Sequence, residues 1–265
     1  MLPLKVGADP ELFVKQGGEF VSGYNLISGT KQDPFPVEGG AVQVDGMALE
    51  FNIDPAEDRN QFVANINKVM KQLEGMVDGY ELAITPVATF SKQVMEAQCE
   101  DALMLGCEPD FNAWLGKVNP QPKAGDFRTA AGHVHVGWTE NEETTPESIH
   151  GLGAMSLVKQ LDYYLGLPSV LYDKNTKRRE LYGKAGACRI KPYGVEYRVL
   201  SNEWLKNDKL KRGVYDSVKN AFENMKKGNF LSVKYGDIQE IINNSDEKEA
   251  IKMMDKTGVS YAAFL

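Results

Sequence analysis

Residues 131–138 read AGHVHVGW, and they hold two of the chain's three histidines. In an extended strand, positions i and i+2 face the same way. His133 and His135 would then project together, with Val134 and Val136 packing behind them. The pattern recurs. Asp9 and Glu11 stand two apart in GADPELF, Glu50 and Asn52 in ALEFNI, and Glu196 and Arg198 in VEYRVL, each with apolar residues between. Four segments therefore offer ligand-capable side chains on one face and a hydrophobic surface on the other. Solvated strand faces favour Lys, Thr and Ser, whereas these carry carboxylates, imidazoles, an amide and a guanidinium. Crowded carboxylates are costly unless a cation neutralises them. An oxygen-rich set with one imidazole suits Mg2+ or Mn2+, hard ions that leave places for phosphate oxygens.

Arg178, Arg179, Lys184, Arg189, Lys191 and Arg198 form a dense basic stretch in a chain whose net charge is −7. Arginine forks match phosphate geometry, often bidentately. Beside a divalent ion, this pattern points to a nucleoside triphosphate. The chain has no GxGxxG fingerprint and no Walker A lysine motif, so the nucleotide would sit in neither of those architectures. His150, in ESIHGLG at a helix start, reads as structural.

These side chains must be positioned by a mixed set of elements. Residues 4–14 read as a strand, with 19–24 returning beside it. Residues 36–53 read as a β segment with a turn or bulge at Asp45-Gly46, stopped by Asp54-Pro55. Phe62, Ile66, Val69, Met70 and Leu73 recur with a helical period within 56–78, and Gly79 suits the C-cap. A strand is expected at 80–90, and a long functional loop at 106–129. The histidine strand spans 132–138. A second helix runs from Pro146 over 147–166, packed through Leu152, Met155, Leu157, Val158 and Leu161, and another strand covers 193–201. The remainder, 205–265, is mostly helical. Strands separated by helices, with early hairpins, indicate an α+β fold and not a regular Rossmann succession.

A length of 265 residues permits one large domain or two small ones. The acidic balance argues against a protein that grips duplex nucleic acid through its backbone. Cys99, Cys107 and Cys188 are odd in number and unevenly spaced, so they suit neither a disulfide framework nor a zinc knuckle. Reduced thiols, the lack of a signal-like start and the lack of a long apolar run lead to the expectation of a soluble, cytoplasmic protein.

GADPELF, GGAVQVDGMALEFNIDP, FRTAAGHVHVGW and YGKAGACRIKPYGVEYRVLSN together resemble the carboxylate–amine ligases (amidoligases) of tailed phages, in the superfamily of glutamine synthetase and γ-glutamylcysteine synthetase. The resemblance runs from about residue 7 to 202, and the tail falls outside it. It implies a curved, mainly antiparallel sheet with helices on one face. It also implies an amidoligase-like catalytic domain at 1–204, with 205–265 a helical extension packed on the same domain. The implied activity joins a carboxylate to an amine through an acyl phosphate made from ATP, with two or more Mg2+ or Mn2+ ions on the sheet. On this resemblance Glu11, Glu50, His133 and Glu196 bind metal, Arg198 holds the transferred phosphoryl group, and Arg179, Lys184 and Arg189 join it around ATP. Glu38 and Arg128 are further catalytic candidates, with Asn52, His135 and Asp45 beside the substrate or the ligands. The general base is left between Glu38 and Asp45. The implied partners are small-molecule or peptide carboxylates and amines, in the host cytoplasm, with the oligomeric state left open. Two other readings share these residues: a single-metal His-x-His hydrolase or oxygenase, and a non-catalytic phage accessory protein.

Overall fold

A computed structural model describes residues 2–103, 110–120 and 127–265. Its strands, in chain order, are β1 (Lys5–Gln16), β2 (Glu19–Val21), β3 (Phe35–Val37), β4 (Gly40–Asp45), β5 (Ala48–Ile53), β6 (Glu81–Ala83) and β7 (Val87–Thr89). They continue with β8 (Phe111–Asn112), β9 (Lys117–Val118), β10 (Phe127–Thr129), β11 (Gly132–Gly137), β12 (Ala187–Lys191) and β13 (Gly194–Tyr197). The main sheet has the order β3-β4-β5-β1-β11-β13-β12-β8-β9, with β2 and β6 also pairing with β1. All of its registered pairs are antiparallel. With the helices below, this is the expected α+β architecture.

The long strand β1 organises the sheet by changing partners along its length. Lys5–Pro10 pairs with β11, Glu11 and Leu12 with β5, and the end with β6 and β2. Val6, Ala8, Leu12 and Val14 are buried in the core, as are Val134 and Val136 of β11 and Val195 and Tyr197 of β13. The period-2 alternation thus puts one face of every central strand into the core and leaves the other to the polar residues.

The core face is covered by three long helices. In α1 (Arg59–Met76), Asp58 accepts the Asn60 and Gln61 amides as N-cap, and Phe62, Val63, Ile66, Val69 and Leu73 are buried. In α4 (Ile149–Leu161) the cap is Ser148, two residues beyond Pro146, and Leu152 points outward at 54% exposure. The chain then passes through a π turn, Asp162–Gly166, into α5 (Leu167–Tyr172). A short helix, α6 (Lys177–Leu181), and a 3-10 turn, Asn202–Lys206, precede α7 (Asp208–Lys226). The ring of Phe62 stacks on Trp204 at 6.0 Å and meets Tyr215 of α7 at 5.7 Å. Residues after 205 are therefore part of the same hydrophobic core as the sheet.

Two local expectations change. The strand at 80–90 is divided by Pro86, which has no amide hydrogen to continue a ladder; β6 joins the main sheet and β7 forms a separate ribbon with β10. The strand at 193–201 ends at Tyr197 and is preceded by its hairpin partner β12. The stretch at 106–129 contains β8, β9 and β10, while 104–109 and 121–126, with Cys107, lie outside the described residues. Cys99 and Cys188 are free thiols, one exposed and one buried. Among the described residues, no helix is long and apolar enough to cross a membrane.

Gly132 lets the histidine strand start where it does. A Cβ there would lie 2.4 Å from the Ser201 carbonyl oxygen and 2.5 Å from Trp204 Nε1, which donates to the Gly132 carbonyl. Gly132→Ala should cost about 1–3 kcal/mol through overpacking, seen in thermal denaturation as a Tm lowered by roughly 2–12 °C.

Candidate active site

The face of the sheet opposite the long helices collects the polar residues into two clusters. In the first, Glu11, Asp45 and Glu50 each place one carboxylate oxygen within 4.8 Å of the others. Backbone pairing brings them there: Glu11 lies opposite Glu50 across β1 and β5, and Asp45 ends β4 at the hairpin turn. Asp45 pairs with Lys31 at 2.8 Å, and Glu11 Oε2 accepts the Ala131 amide at 2.8 Å. Like charges about 4 Å apart repel by roughly 4 kcal/mol at an effective dielectric of 20. Burial, with the Asp45 charge second, pushes Glu11 up to about 7. Glu50 is raised well above the ordinary carboxylate range by burial, then by Asp9, Asp45 and Glu11.

In the second cluster, Asp9, His133 and Glu196 have ligand atoms within 4.8 Å of one another. This cluster already has cations. The Arg198 guanidinium donates to Glu196 and to Asp110, and Lys191 and Arg189 lie 3.1 and 3.7 Å from Glu196. Burial and Asp9 work against ionisation of Glu196, but Arg198, His133 and His135 outweigh them and hold it at about 2. Asp9 is half-buried, and the neighbouring His135 and His133 outweigh its desolvation and bring it well below its ordinary value.

The two histidines are treated differently. Burial and the Arg198 charge push His133 down, towards the neutral form that can ligate a metal. His135 is raised, because Asp9 and Glu196 outweigh its burial. Both reach Asp9 Oδ1, His133 Nδ1 at 3.5 Å and His135 Nε2 at 3.0 Å, but only His133 belongs to the three-ligand cluster. The His-x-His pair therefore does not supply two ligands to one centre among the described residues.

Two clefts flank the carboxylates. A narrow one runs past Glu11 and Asp45 and is walled by Arg128, Arg178, Arg198 and Tyr182. A wide one, about 510 Å³, is walled by Trp138, Tyr193, His135, Glu50, Asn52 and Asp9. The narrow cleft is roofed where Phe13 and Met47 pack with Phe90, Ala130 and the short helices α2 (Lys92–Glu96) and α3 (Glu100–Leu103).

The expected site residues divide accordingly. Glu11, Asp45, Glu50, Asn52, Arg128, His133, His135, Glu196 and Arg198 come together. Lys184 lies beside Asp110 and Tyr182 at a small neighbouring cavity, and Arg189 borders Glu196 with its side chain 39% exposed. Arg179 does not face either cleft: it is buried, donates to Ser169 Oγ and lies 3.9 Å from Asp173, while its neighbour Arg178 takes the cleft wall. Glu38 is also elsewhere. It sits in the β3–β4 turn, largely exposed, and pairs with Lys68 of α1 at 2.7 Å. Asp9 had the right spacing but was not singled out as a ligand. Asp110, Arg178 and Tyr193 carried no signal beyond their place in a polar loop, a basic stretch and a strand.

The carboxylates fit a hard divalent ion. Three acids, each at least half-buried, share one small volume, Asp45 pairs with Lys31, and every donor is oxygen. When bound there, such an ion would neutralise the cluster and hold phosphate oxygens in place.

Residues 129–257 match the family described as phage phiEco32-like COOH.NH2 ligase-type 2. The matched segment contains His133, His135, Glu196 and Arg198 and continues into the C-terminal helices, which the sequence motifs had left out. The motifs around Glu11 and Glu50 precede it. No curated protein matches the sequence. Among solved structures, a bifunctional glutathione synthetase from Pasteurella multocida aligns with a TM-score of 0.43 at 10% identity, covering 99% of this chain and 45% of that one. The chain thus spans less than half the length of that protein.

Removing a crowded charge should stabilise the protein without metal. Glu50 is raised in the fold, so its ionisation costs stability as the pH climbs from about 4.5 upwards, the range in which the unfolded chain has already lost the proton. Glu50→Gln is therefore expected to raise the metal-free Tm at pH 8 by roughly 2–4 °C, equivalent to about 1 kcal/mol. Mg2+ is expected to raise the Tm of the parent protein and to leave that of the variant unchanged. Thermal scans with and without Mg2+ at pH 5 and pH 8 check both effects.

Proposed function

Since the chain carries over residues 129–257 the signature of the phage phiEco32-like COOH–NH2 ligases, we propose that it joins a carboxylate to an amine at the expense of ATP, through an acyl phosphate. The observation that carries this reading is the placement of two carboxylate clusters between an arginine-walled cleft and a cleft with aromatic walls. A wide cleft with Trp138 and Tyr193 suits a nucleoside, and its volume lies within the range of small-molecule sites. A narrow cleft with three guanidinium groups suits the carboxylate to be activated and the phosphoryl group placed on it.

A carboxylate and an amine do not condense in water, because the carboxylate is a poor electrophile with a poor leaving group. Transfer of the ATP γ-phosphoryl group to a carboxylate oxygen gives an acyl phosphate and ADP. Attack of the amine nitrogen on the acyl carbon then breaks the C–O bond, and phosphate leaves. The protein's task is to gather negative charge in line and keep it neutralised. Arg198 is fixed for this by Glu196 on one side and Asp110 on the other. His135, held towards its cationic form by Asp9, suits a phosphate oxygen, and neutral His133 with Asp9 and Glu196 suits a second divalent ion. Lys191 and Arg189 extend the positive border along β12. Of the two carboxylates considered for removing the amine proton, Asp45 faces the narrow cleft and Glu38 does not.

The substrates we assign are small-molecule or peptide carboxylates and amines, with Mg2+ or Mn2+ as the ion. The decisive test is calorimetric titration of a non-hydrolysable ATP analogue with and without Mg2+. Binding should require the ion and be lost in Glu50→Gln; absence of binding under both conditions would remove the ligase reading. In a screen of amine and carboxylate pairs, phosphate release in Arg198→Ala should fall by roughly 10³-fold or more.

A further inference from the structure

The tip of the β12–β13 hairpin brings into the wide cleft a side chain whose hydroxyl the reaction described above does not use. Tyr193 lies at that tip, and its hydroxyl forms a short hydrogen bond with His135 Nδ1. The other ring nitrogen of His135, Nε2, stands 3.0 Å from Asp9 Oδ1. That pair lacks hydrogen-bond geometry, so the phenol engages Nδ1 while Nε2 stands beside the carboxylate with its own hydrogen bond still to be made.

Packing alone would not fix this ring. In the sheet His135 lies opposite Gly7 on one side and Glu196 on the other. A glycine offers no side chain to hold the imidazole, and even a Cβ at Gly7 would only touch the His135 Cβ at 3.5 Å. The rings of His135 and Tyr193 are tilted by 39° with centroids 6.1 Å apart, so they meet through the hydroxyl and not by stacking. The backbone of Tyr193 has a separate job: its carbonyl accepts the Trp138 and Thr139 amides at 3.0 and 3.3 Å. Side chain and main chain can thus be perturbed independently.

We propose that Tyr193 is a positioning residue that sets the orientation of the His135 ring through Nδ1, so that Nε2 faces Asp9 and the cleft where nucleotide phosphates would lie. The orientation itself stands on the hydrogen bond; its consequence for nucleotide binding rests on the ligase reading. Partners that orient a functional imidazole typically matter by 10–100-fold when removed from metal sites, and a similar size is expected here.

The test is Tyr193→Phe, which keeps the ring and the backbone bonds and removes only the hydroxyl; its Tm should match that of the parent. Heteronuclear NMR of the imidazole nitrogens, in the protein without nucleotide, should show both His135 15N resonances displaced in the variant and those of His133 and His150 nearly unmoved. Affinity for Mg2+ with a non-hydrolysable ATP analogue should fall about tenfold, and the same substitution in a His135→Gln background should have no further effect. Unmoved His135 resonances would overturn the proposal, as would an equal loss of affinity in the His135→Gln background. Failure of the nucleotide to bind the parent protein would count against the ligase reading alone, because the resonances test the orientation without it.

Discussion

The constraint on which the structure depends is the crowding of negative charge on one face of β1. Asp9 and Glu11 come from that strand, and its two neighbours add Glu50 and His133 directly across the ladder. A sheet has no freedom to spread these groups apart, since paired residues sit roughly 5 Å from each other whatever their charge. The protein resolves the conflict differently at the two ends. Around Glu196 it supplies its own cations, Arg198, Lys191 and Arg189, and that carboxylate is strongly acidic. Around Glu11 and Glu50 the cations, Arg178 and Lys31, do not outweigh burial and the neighbouring negative charges, and those carboxylates retain their protons more readily. One end is balanced by its own cations, and the other keeps its acids partly in the protonated form.

The fold surrounding this face is committed to holding it still. Tyr197 lies between Glu196 and Arg198 in sequence but on the opposite side of the sheet, where its hydroxyl donates to Asp162 at 2.7 Å. Asp162 also accepts from Trp114 Nε1 at 2.6 Å. Trp114 follows Asp110, the residue that holds the outer side of Arg198. The arginine is thus fixed directly on the cleft side and indirectly through the core. Burial brings Asp162 up to about 7, against the pull of these two donors. The π turn that begins at Asp162 is the local irregularity through which this carboxylate sits between strand and loop.

Much of this was legible in the sequence wherever it was local. The alternation of polar and apolar residues located the working strands and assigned their faces, because a period of two leaves little ambiguity when one face must be buried. The helix over α1 was visible from Phe62, Ile66, Val69 and Leu73 for the same kind of reason. What spacing could not reveal was pairing across long distances. Asp110 meets Arg198 across 88 positions, and the division of the ligands into two clusters depends on which strands are neighbours. Arg178 and Arg179 are adjacent and alike in composition, yet the short helix α6 sends one to the cleft and the other to Ser169 and Asp173. Glu38 looked available because its turn is polar, and that same turn directs it to Lys68 on α1.

The alternation has a consequence for how such a protein can diverge. In β11 and β13, glycines apart, each residue belongs either to the hydrophobic interior or to the polar face. Inserting or deleting a single residue within either strand would exchange the two roles at every later position, sending His135 inward and Val136 outward in one step. Change by insertion is therefore confined to the connections, such as the β8–β9 segment and the β12–β13 tip, while the strands can change only by substitution in place. New specificity in a lineage with this architecture would be expected to arise as altered loop length over an unaltered strand register.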